Sequence, residues 1–585
     1  MASSDQPPAE VRLKRFLHYG SEAPLCMPGD RFFLKCFLLE NLTAIEEMLA
    51  NSTPDKEGDA VNHIMKAYMD GYSGYPECLI FALAACACQK TSQTLRTHAY
   101  NAVKTVCKTP KDIFLFATFT KKLSAPTSGC GSGWRKALCE WYLSKDPLEL
   151  AACVTQIRGA YGFTHRDLFK LIHLKTEDKA KVAVICYVMK GLEASKMLPD
   201  NENPSVQKVL SYLQVVEDIK HNEDKQTCAR LLESHKLTKD IAQVEHLKSA
   251  EIWMAVVPRM HLADLLDSLI RLSCYGLLKT GQPLEAVIID RVLDQTAAVE
   301  SHLHPTEVYC AIKRYEYHAK NTHEMMEKLI KQGKTDRELK PPPKPNAKIL
   351  AALNKLLLST LRLLVPTGMR YLVAIDLSNN MKQWICNGSR DVKPANAATL
   401  LALCLLHAER DVTVVAFPSL PGLPPEEDLV DAPNRVVQPV TRKGKRKSGE
   451  GIIYPRKTEV GDMLPVALDK DASVDDNFEK MSVASSGPVE VCQPIVWAQK
   501  TKKPVDVFIV LTDYVTNRKR EFKEPAVALQ EYRQEMNLPN TKLITCALVS
   551  NTLNVAASSD VGMLDIVGFN GKMARIIEAF SRGAF

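Results

Sequence analysis

Asp376 and Asp513 each close a short β-branched apolar run, YLVAID and VFIVLTD, and Ser378 follows the first aspartate by two positions. In an open α/β sheet the binding crevice lies beyond the carboxyl ends of the strands, so both carboxylates are expected to face one point. Carboxylates and a hydroxyl converging in that way suit a hard divalent cation such as magnesium. The other chemistry of a strand-end aspartate, phosphoryl transfer of the DxDx type, needs a second aspartate two positions on as general acid, and Ser378 stands there instead. GxxxxGK(S/T), GxSxG and HExxH do not occur, so phosphate-cradle NTPase, serine hydrolase and zincin readings lack their signatures.

The second candidate group is cationic. In THRDLFKLIHLK, Thr164 and Asp167 have capping-box spacing, which predicts a helix from about His165. On that helix Arg166, Lys170 and His173 are spaced i, i+4, i+7 and form a basic stripe, with Leu168, Phe169, Leu171 and Ile172 largely on other faces. Neighbouring segments add Lys104, Lys108 and Lys111, then Lys121 and Lys122, then Arg135 and Lys136 after the glycine-rich GCGSGW, then Arg158. Brought together by packing, these side chains make a groove of positive potential for a phosphate backbone; left apart, they are ordinary solvated faces.

Two kinds of element must position these groups. From about Arg12 to Lys331 apolar residues recur every three or four positions between short polar turns, which predicts roughly sixteen helices, RFFLKCFLLENLTAIEEMLA and PKDIFLFATFTKKL among them. Short connections imply antiparallel pairs, stacked as an α-solenoid of the HEAT kind or packed as one large globular helical domain. Around Lys331 to Asn346 the charged, proline-rich QGKTDRELKPPPKPN predicts a linker. Beyond it RYLVAIDLS, DVTVVAF, VDVFIVLTD and KLITCALVS alternate with helical stretches such as ANAATLLALCLLHAER and EPAVALQEYRQEM. Continuous hydrophobicity in each run predicts strands covered on both faces, and so a parallel, doubly wound α/β sheet. Domains are expected at 1–345 and 346–585, the second carrying a disordered insertion at about 418–485. Within that insertion the basic run Arg442, Lys443, Lys445, Arg446 and Lys447 reads as a nuclear localisation signal, an auxiliary RNA contact or a solvated loop.

Length and composition bound these readings. At 585 residues, 46% hydrophobic and 24% charged, the chain exceeds one domain and has the make-up of a folded protein. No run approaches the roughly 18 apolar residues of a membrane span. The charged start MASSDQPPAEVRLKR lacks a secretory signal's apolar region, and the 17 cysteines include no CxxC pair. Reduced, buried thiols and a cytoplasmic location, with a nuclear one besides, are therefore expected. A net charge of +7 permits a polyanionic partner without requiring one.

DLSNNM resembles the DxSxS metal-ion-dependent adhesion motif of von Willebrand factor A domains, which hold a cation and use its open position to capture a partner's carboxylate. Asn380 replaces the second serine and has a carbonyl oxygen to offer; Gly487, Pro488, Val489 and Glu490 align with the family's GGTD-like loop, where Val489 has none. Along nearly the whole chain, RLKRFLHYGSE, VCKTPKDIFLFATFTKKL, SGWRKALCEWY, FTHRDLFKLIHLK, VPTGMRYLVAIDLSNNM, PIVWAQKTKKPVDVFIVLTD and GMLDIVGFN follow one another in an order that resembles the TROVE-domain Ro ribonucleoprotein family. The resemblance implies a HEAT-like helical ring closed by a von Willebrand factor A domain. It implies a non-catalytic monomer that binds small noncoding Y RNA on its outer surface and takes single-stranded ends of misfolded noncoding RNA into its hole, for RNA quality control and stability. His173 matches a Y RNA contact of the family, whereas Gln156 and Ala160 stand where it has cations, with Arg158 retained between them. A protein-interaction platform, holding an acidic ligand through the A-domain cation, is the reading from another class.

Overall fold

The computed structural model describes residues 6–27, 37–71, 73–124, 131–199, 201–333, 343–418, 462–481, 489–513 and 523–585. Up to Lys331 the described chain is almost wholly helical, as the three-to-four periodicity requires. The starts are written locally: Ser92, Asp178, Asn203, Asp224 and Asp294 cap helices with their side chains, Asp146 and Glu149 form a capping box, and Pro76, Pro147, Pro204, Pro283 and Pro305 open first turns. Successive helices pack on near neighbours, Gln93–Val106 on Ser132–Leu143 and Lys179–Lys190 on Pro204–His221, for example.

Three local expectations are corrected. The segment taken as one helix at 31–50 holds a 3-10 turn at Leu39–Asn41 and a helix only at Ala44–Ala50, with residues 31–36 outside the described residues. The helical half also contains strands: β1 (Leu25–Cys26), and a hairpin of β2 (Gly159–Ala160) and β3 (Phe163–Thr164). These are too short for hydrophobic periodicity to register. Of the predicted linker, 334–342 lies outside the described residues, while its last member, Asn346, is buried and does structural work. Asn346 Oδ1 accepts the Lys348 and Ile349 amides at the start of the Ala347–Arg362 helix, and Nδ2 donates to Glu285 Oε2 at 2.7 Å and to the Leu278 carbonyl at 3.2 Å.

The predicted runs form β4 (Tyr371–Ile375), β5 (Val412–Ala416), β7 (Val507–Thr512) and β8 (Lys542–Ala547). They are joined by β6 (Leu464–Pro465) and β9 (Met563–Val567) in one sheet of order β1-β9-β8-β7-β4-β5-β6, parallel throughout except at β5–β6. Residues 462–481, placed in the disordered insertion from their composition, instead supply β6 and the helix Val474–Met481. Val474 and Met481 are buried, and Asp475 binds Lys313 and Asn396, so this stretch is anchored at both ends. The basic run 442–447 lies outside the described residues.

One face of the sheet, with Tyr371, Val373, Ile375, Ile509 and Ile566, belongs to the same continuous core as the helices from Leu13 to Leu361. The other face, with Leu372, Ala374, Phe508 and Val510, has its own core. The helix Met573–Ser581 and the turn before it hold two remote parts of the helical half. Thr306 donates to the Gly571 carbonyl, Arg575 pairs with Glu307 at 2.9 Å and His304 lies 3.1 Å from Glu578; Asn570 donates to Tyr75 at 2.9 Å. On the far side β1 pairs with β9, so contacts run in a closed circuit from the first helix, through the series, across the sheet and back. Replacing Asn346 by alanine uncaps a helix, leaves the Leu278 carbonyl without its donor and removes one of the two donors to Glu285 Oε2, the Gly281 amide remaining. A loss of about 2–4 kcal/mol is expected, measurable as a lowered urea midpoint.

Candidate nucleic-acid interface

All ten cations singled out from the sequence are exposed, and packing sorts them into groups. The Trp134 indole, buried, donates to Thr120 Oγ1 at 2.9 Å, which sets the start of the helix Ser132–Leu143 beside the end of the helix Pro110–Ser124. Lys121, Lys122, Arg135 and Lys136 are therefore carried on the adjoining ends of the two helices, Lys136 with Glu140 at 3.9 Å. Cys139, one turn beyond Arg135, lies 3.6 Å from the Ile172 carbonyl and brings in the C-terminal end of the helix His165–Ile172, with Lys170 and His173. Lys121 Nζ sits 5.4 Å from the centre of the Phe163 ring, fixing the β2–β3 hairpin and Arg166 to the same region. Lys122 donates to the Phe37 carbonyl at 2.8 Å, so part of its capacity serves the fold.

Three cations depart from the group. Trp141 donates to the Cys107 carbonyl at 2.6 Å, placing Lys104 and Lys108 at the opposite end of Ser132–Leu143, roughly 9 Å along the axis from Arg135. Lys108 and Thr109 also offer their amides to Asp112, which dilutes the positive charge there. Arg158 acts toward the helices Lys179–Lys190 and Pro204–His221, where its charge is felt by Tyr187 and Lys220. Lys220 escaped sequence reasoning: it donates at 2.7 Å to both Glu217 and the Tyr187 hydroxyl, and burial lowers its pKa despite Glu217. The i, i+3 spacing of Glu217 and Lys220 was the signal available.

The basic stripe is shorter than its spacing promised. Thr164 and Asp167 do form the capping box, and the helix does begin at His165, but it ends at Ile172. His173 takes a left-handed conformation, φ 52°, with the Leu174 amide bonded to the Phe169 carbonyl in a Schellman-type close. Arg166 and Lys170 share a helical face, and His173 turns out of register. Beneath them His165 is buried; its Nε2 lies 2.8 Å from the Ile157 carbonyl and must donate, so Nδ1 accepts from the Tyr142 hydroxyl at 2.8 Å. Burial lowers its pKa to about 4, so the ring is neutral and structural.

At the carboxyl end of the sheet Asp376 and Asp513 do converge. Asp376 is 1% exposed; its Oδ1 accepts the Ser378 amide at 2.8 Å, and its Oδ2 accepts the Thr512 hydroxyl at 2.8 Å and lies 3.3 Å from Ser378 Oγ. Thr512 Oγ1 is also 3.3 Å from Asp513 Oδ1, which makes it an oxygen of the site that sequence reasoning passed over although it adjoins Asp513 in VLTD. Burial, and then the neighbouring Asp513, push the Asp376 pKa up to about 7. Two buried carboxylates repel unless a proton or a cation lies between them. Asp376, Ser378, Thr512 and Asp513 are hard oxygen donors fit for magnesium, fewer than its six ligands, with water to complete the shell. Asn380 is half-buried in the first turn of Asn379–Gln383. Val489 packs on the second core, and Gly487 and Pro488 lie outside the described residues.

Residues 34–349 match the TROVE domain model and residues 454–581 the Ro60 vWA domain model. The chain is 24% identical to an RNA-binding protein RO60 of Caenorhabditis elegans, over 86% of this chain and 78% of that one. It is 25% identical to an RNA-binding protein RO60 of Deinococcus radiodurans, over 87% and 81%. The crystal structure of the Deinococcus radiodurans RO (RSR) protein superimposes with a TM-score of 0.76 at 21% identity, covering 99% of this chain and 100% of that one, which establishes the shared fold.

The His165 ring gives a pH test of the scaffold. Its folded pKa is depressed, so the unfolded chain takes up a proton that the folded one refuses; the stabilisation is complete above about 6.5 and is lost as pH falls toward 4. Roughly 3 kcal/mol is at stake. Urea midpoints between pH 7 and pH 4.5 should fall more steeply for the natural protein than for His165→Gln, which cannot titrate.

Proposed function

The chain belongs to the TROVE-domain family, and on that premise we propose that it is an RNA-binding scaffold of a ribonucleoprotein, acting by charge and shape without covalent chemistry. The observation that carries this reading is the grouping of Lys121, Arg135, Lys136, Arg166, Lys170 and His173 on adjoining elements held by the Trp134–Thr120 and Cys139–Ile172 contacts. Such a surface neutralises phosphates and reads the backbone of a structured RNA, with no need of base-specific contacts. The finer reading is a small noncoding RNA of the Y type on this outer surface and single-stranded ends of misfolded noncoding RNA within the ring, in cytoplasmic, and also nuclear, RNA quality control and stability. Support for a ring is the closed circuit of contacts, completed by β1 on β9 and by the helix Met573–Ser581. Gln156 and Ala160 withhold two cations beside Arg158, so phosphate binding shifts onto Arg166 and Lys170.

A second reading, capture of an acidic protein ligand through a cation held by Asp376, Ser378, Thr512 and Asp513, is favoured by the buried carboxylate pair. Protein capture that is abolished by EDTA and survives RNase would speak for it.

Replacing Arg166, Lys170 and His173 together by alanine should weaken binding of a hairpin RNA with a single-stranded tail, and lower the slope of log K against log salt by about 1.5, while the unfolding transition stays put. Unchanged affinity would return the stripe to an ordinary solvated face. Asp376→Ala should loosen the A domain, seen as a lower melting temperature, with RNA affinity largely kept.

A further inference from the structure

The β2–β3 hairpin turns through Tyr161 and Gly162, both left-handed, at φ 52° and 83°. Two-residue turns of this hand favour asparagine or aspartate at the first position, because a bulky side chain is strained there. Tyr161 occupies it nonetheless, is 42% exposed, and has neither a hydrogen-bond partner for its hydroxyl nor an aromatic neighbour among the described residues. An exposed aromatic held at a strained position asks for a functional account.

Its surroundings supply one. Thr118 Oγ1 lies 2.9 Å from the Tyr161 carbonyl, seating the hairpin tip on the solvent face of the helix Pro110–Ser124. Along that helix Lys111, Thr118 and the pair Lys121–Lys122 fall on one side, at steps of seven and three to four residues. Thr118, which holds the hairpin tip, thus lies along the helix between Lys111 and the Lys121–Lys122 pair, and Lys121 reaches the neighbouring Phe163. Partial burial, with Glu77 and Asp112 near, raises the phenol pKa, so the ring stays neutral. Aromatic rings interleaved with cations are the elements of single-strand recognition: cations take the backbone, and a ring takes the face of a base.

We propose that Tyr161 is a base-stacking residue, its ring receiving an unpaired base of single-stranded RNA whose backbone runs along the cations of the helix Pro110–Ser124. The proposal rests on the RNA-binding reading and assigns to the hairpin tip an unpaired stretch of the RNA held on this surface, separate from the single-stranded ends read within the ring.

The test measures binding of a short uridine-rich single strand bearing one 2-aminopurine, to the full chain and to Tyr161→Phe and Tyr161→Asn. Asparagine suits the turn, so that variant should fold at least as well. It should bind the strand about five- to a hundredfold more weakly, with the salt slope unchanged and the 2-aminopurine quenching lost, while Tyr161→Phe behaves like the natural protein. Natural affinity in Tyr161→Asn, alongside weakened binding in the Arg166, Lys170 and His173 variant, overturns stacking and leaves the RNA-binding reading standing. Equal losses in the Phe and Asn variants overturn it too, since the hydroxyl would then be the contact. No binding by the natural protein at low salt overturns both readings.

Discussion

A twisted parallel sheet has two apolar faces to cover and two open edges to close, and the way this chain meets that demand governs its architecture. The face carrying Val373, Ile509 and Ile566 is buried in a core that continues without interruption into the helical half. The edge offered by β9 is closed by β1, the segment that follows the first helix. The two halves therefore lean on each other. The helices Pro394–Ala408 and Met573–Ser581 cover that face and pack in turn on the helical half, and the first helix, seated on the helices that follow it, sends Arg15 to the Asp560 carbonyl beside the sheet.

That interdependence gives the surface cations their value. Exposed lysines and arginines add little to stability, since water serves them as well as a partner does. What the fold contributes is fixed spacing, through bonds that are buried and short: Trp134 to Thr120, Trp141 to Cys107, Tyr142 to His165. The ligand surface is thus assembled from side chains that the fold does not need, mounted on indoles and a histidine that it does.

Much of this was legible in the sequence, for identifiable reasons. β4, β5, β7 and β8 are buried on both faces and read as unbroken apolar runs, and the Thr164–Asp167 box announced its helix to the residue. β9 was hidden because Asp565 interrupts it; the carboxylate is buried and accepts the Val555 and Ala556 amides, and burial lifts its pKa to about 6. β1 and the hairpin were hidden by brevity, and the hairpin also by a tyrosine where turn chemistry favours asparagine. His173 was misplaced because periodicity carries a helix onward, while its end is decided by backbone conformation. The division of the cations into two ends and a flank depends on which indole meets which helix, and spacing along the chain holds no record of that.

The pairing of β1 with β9 joins Leu25 to Asp565, residues far apart along the chain. A ribosome adding residues one after another releases the first strand roughly half a minute to two minutes before its partner exists. During that interval Arg15 and His18 of the first helix lack the Asp560 carbonyl and the Phe585 ring they meet in the folded chain, and the sheet's far edge stays unsealed. Completion of the circuit is thus a late event, and the nascent chain passes through a long open stage before it can take its final form.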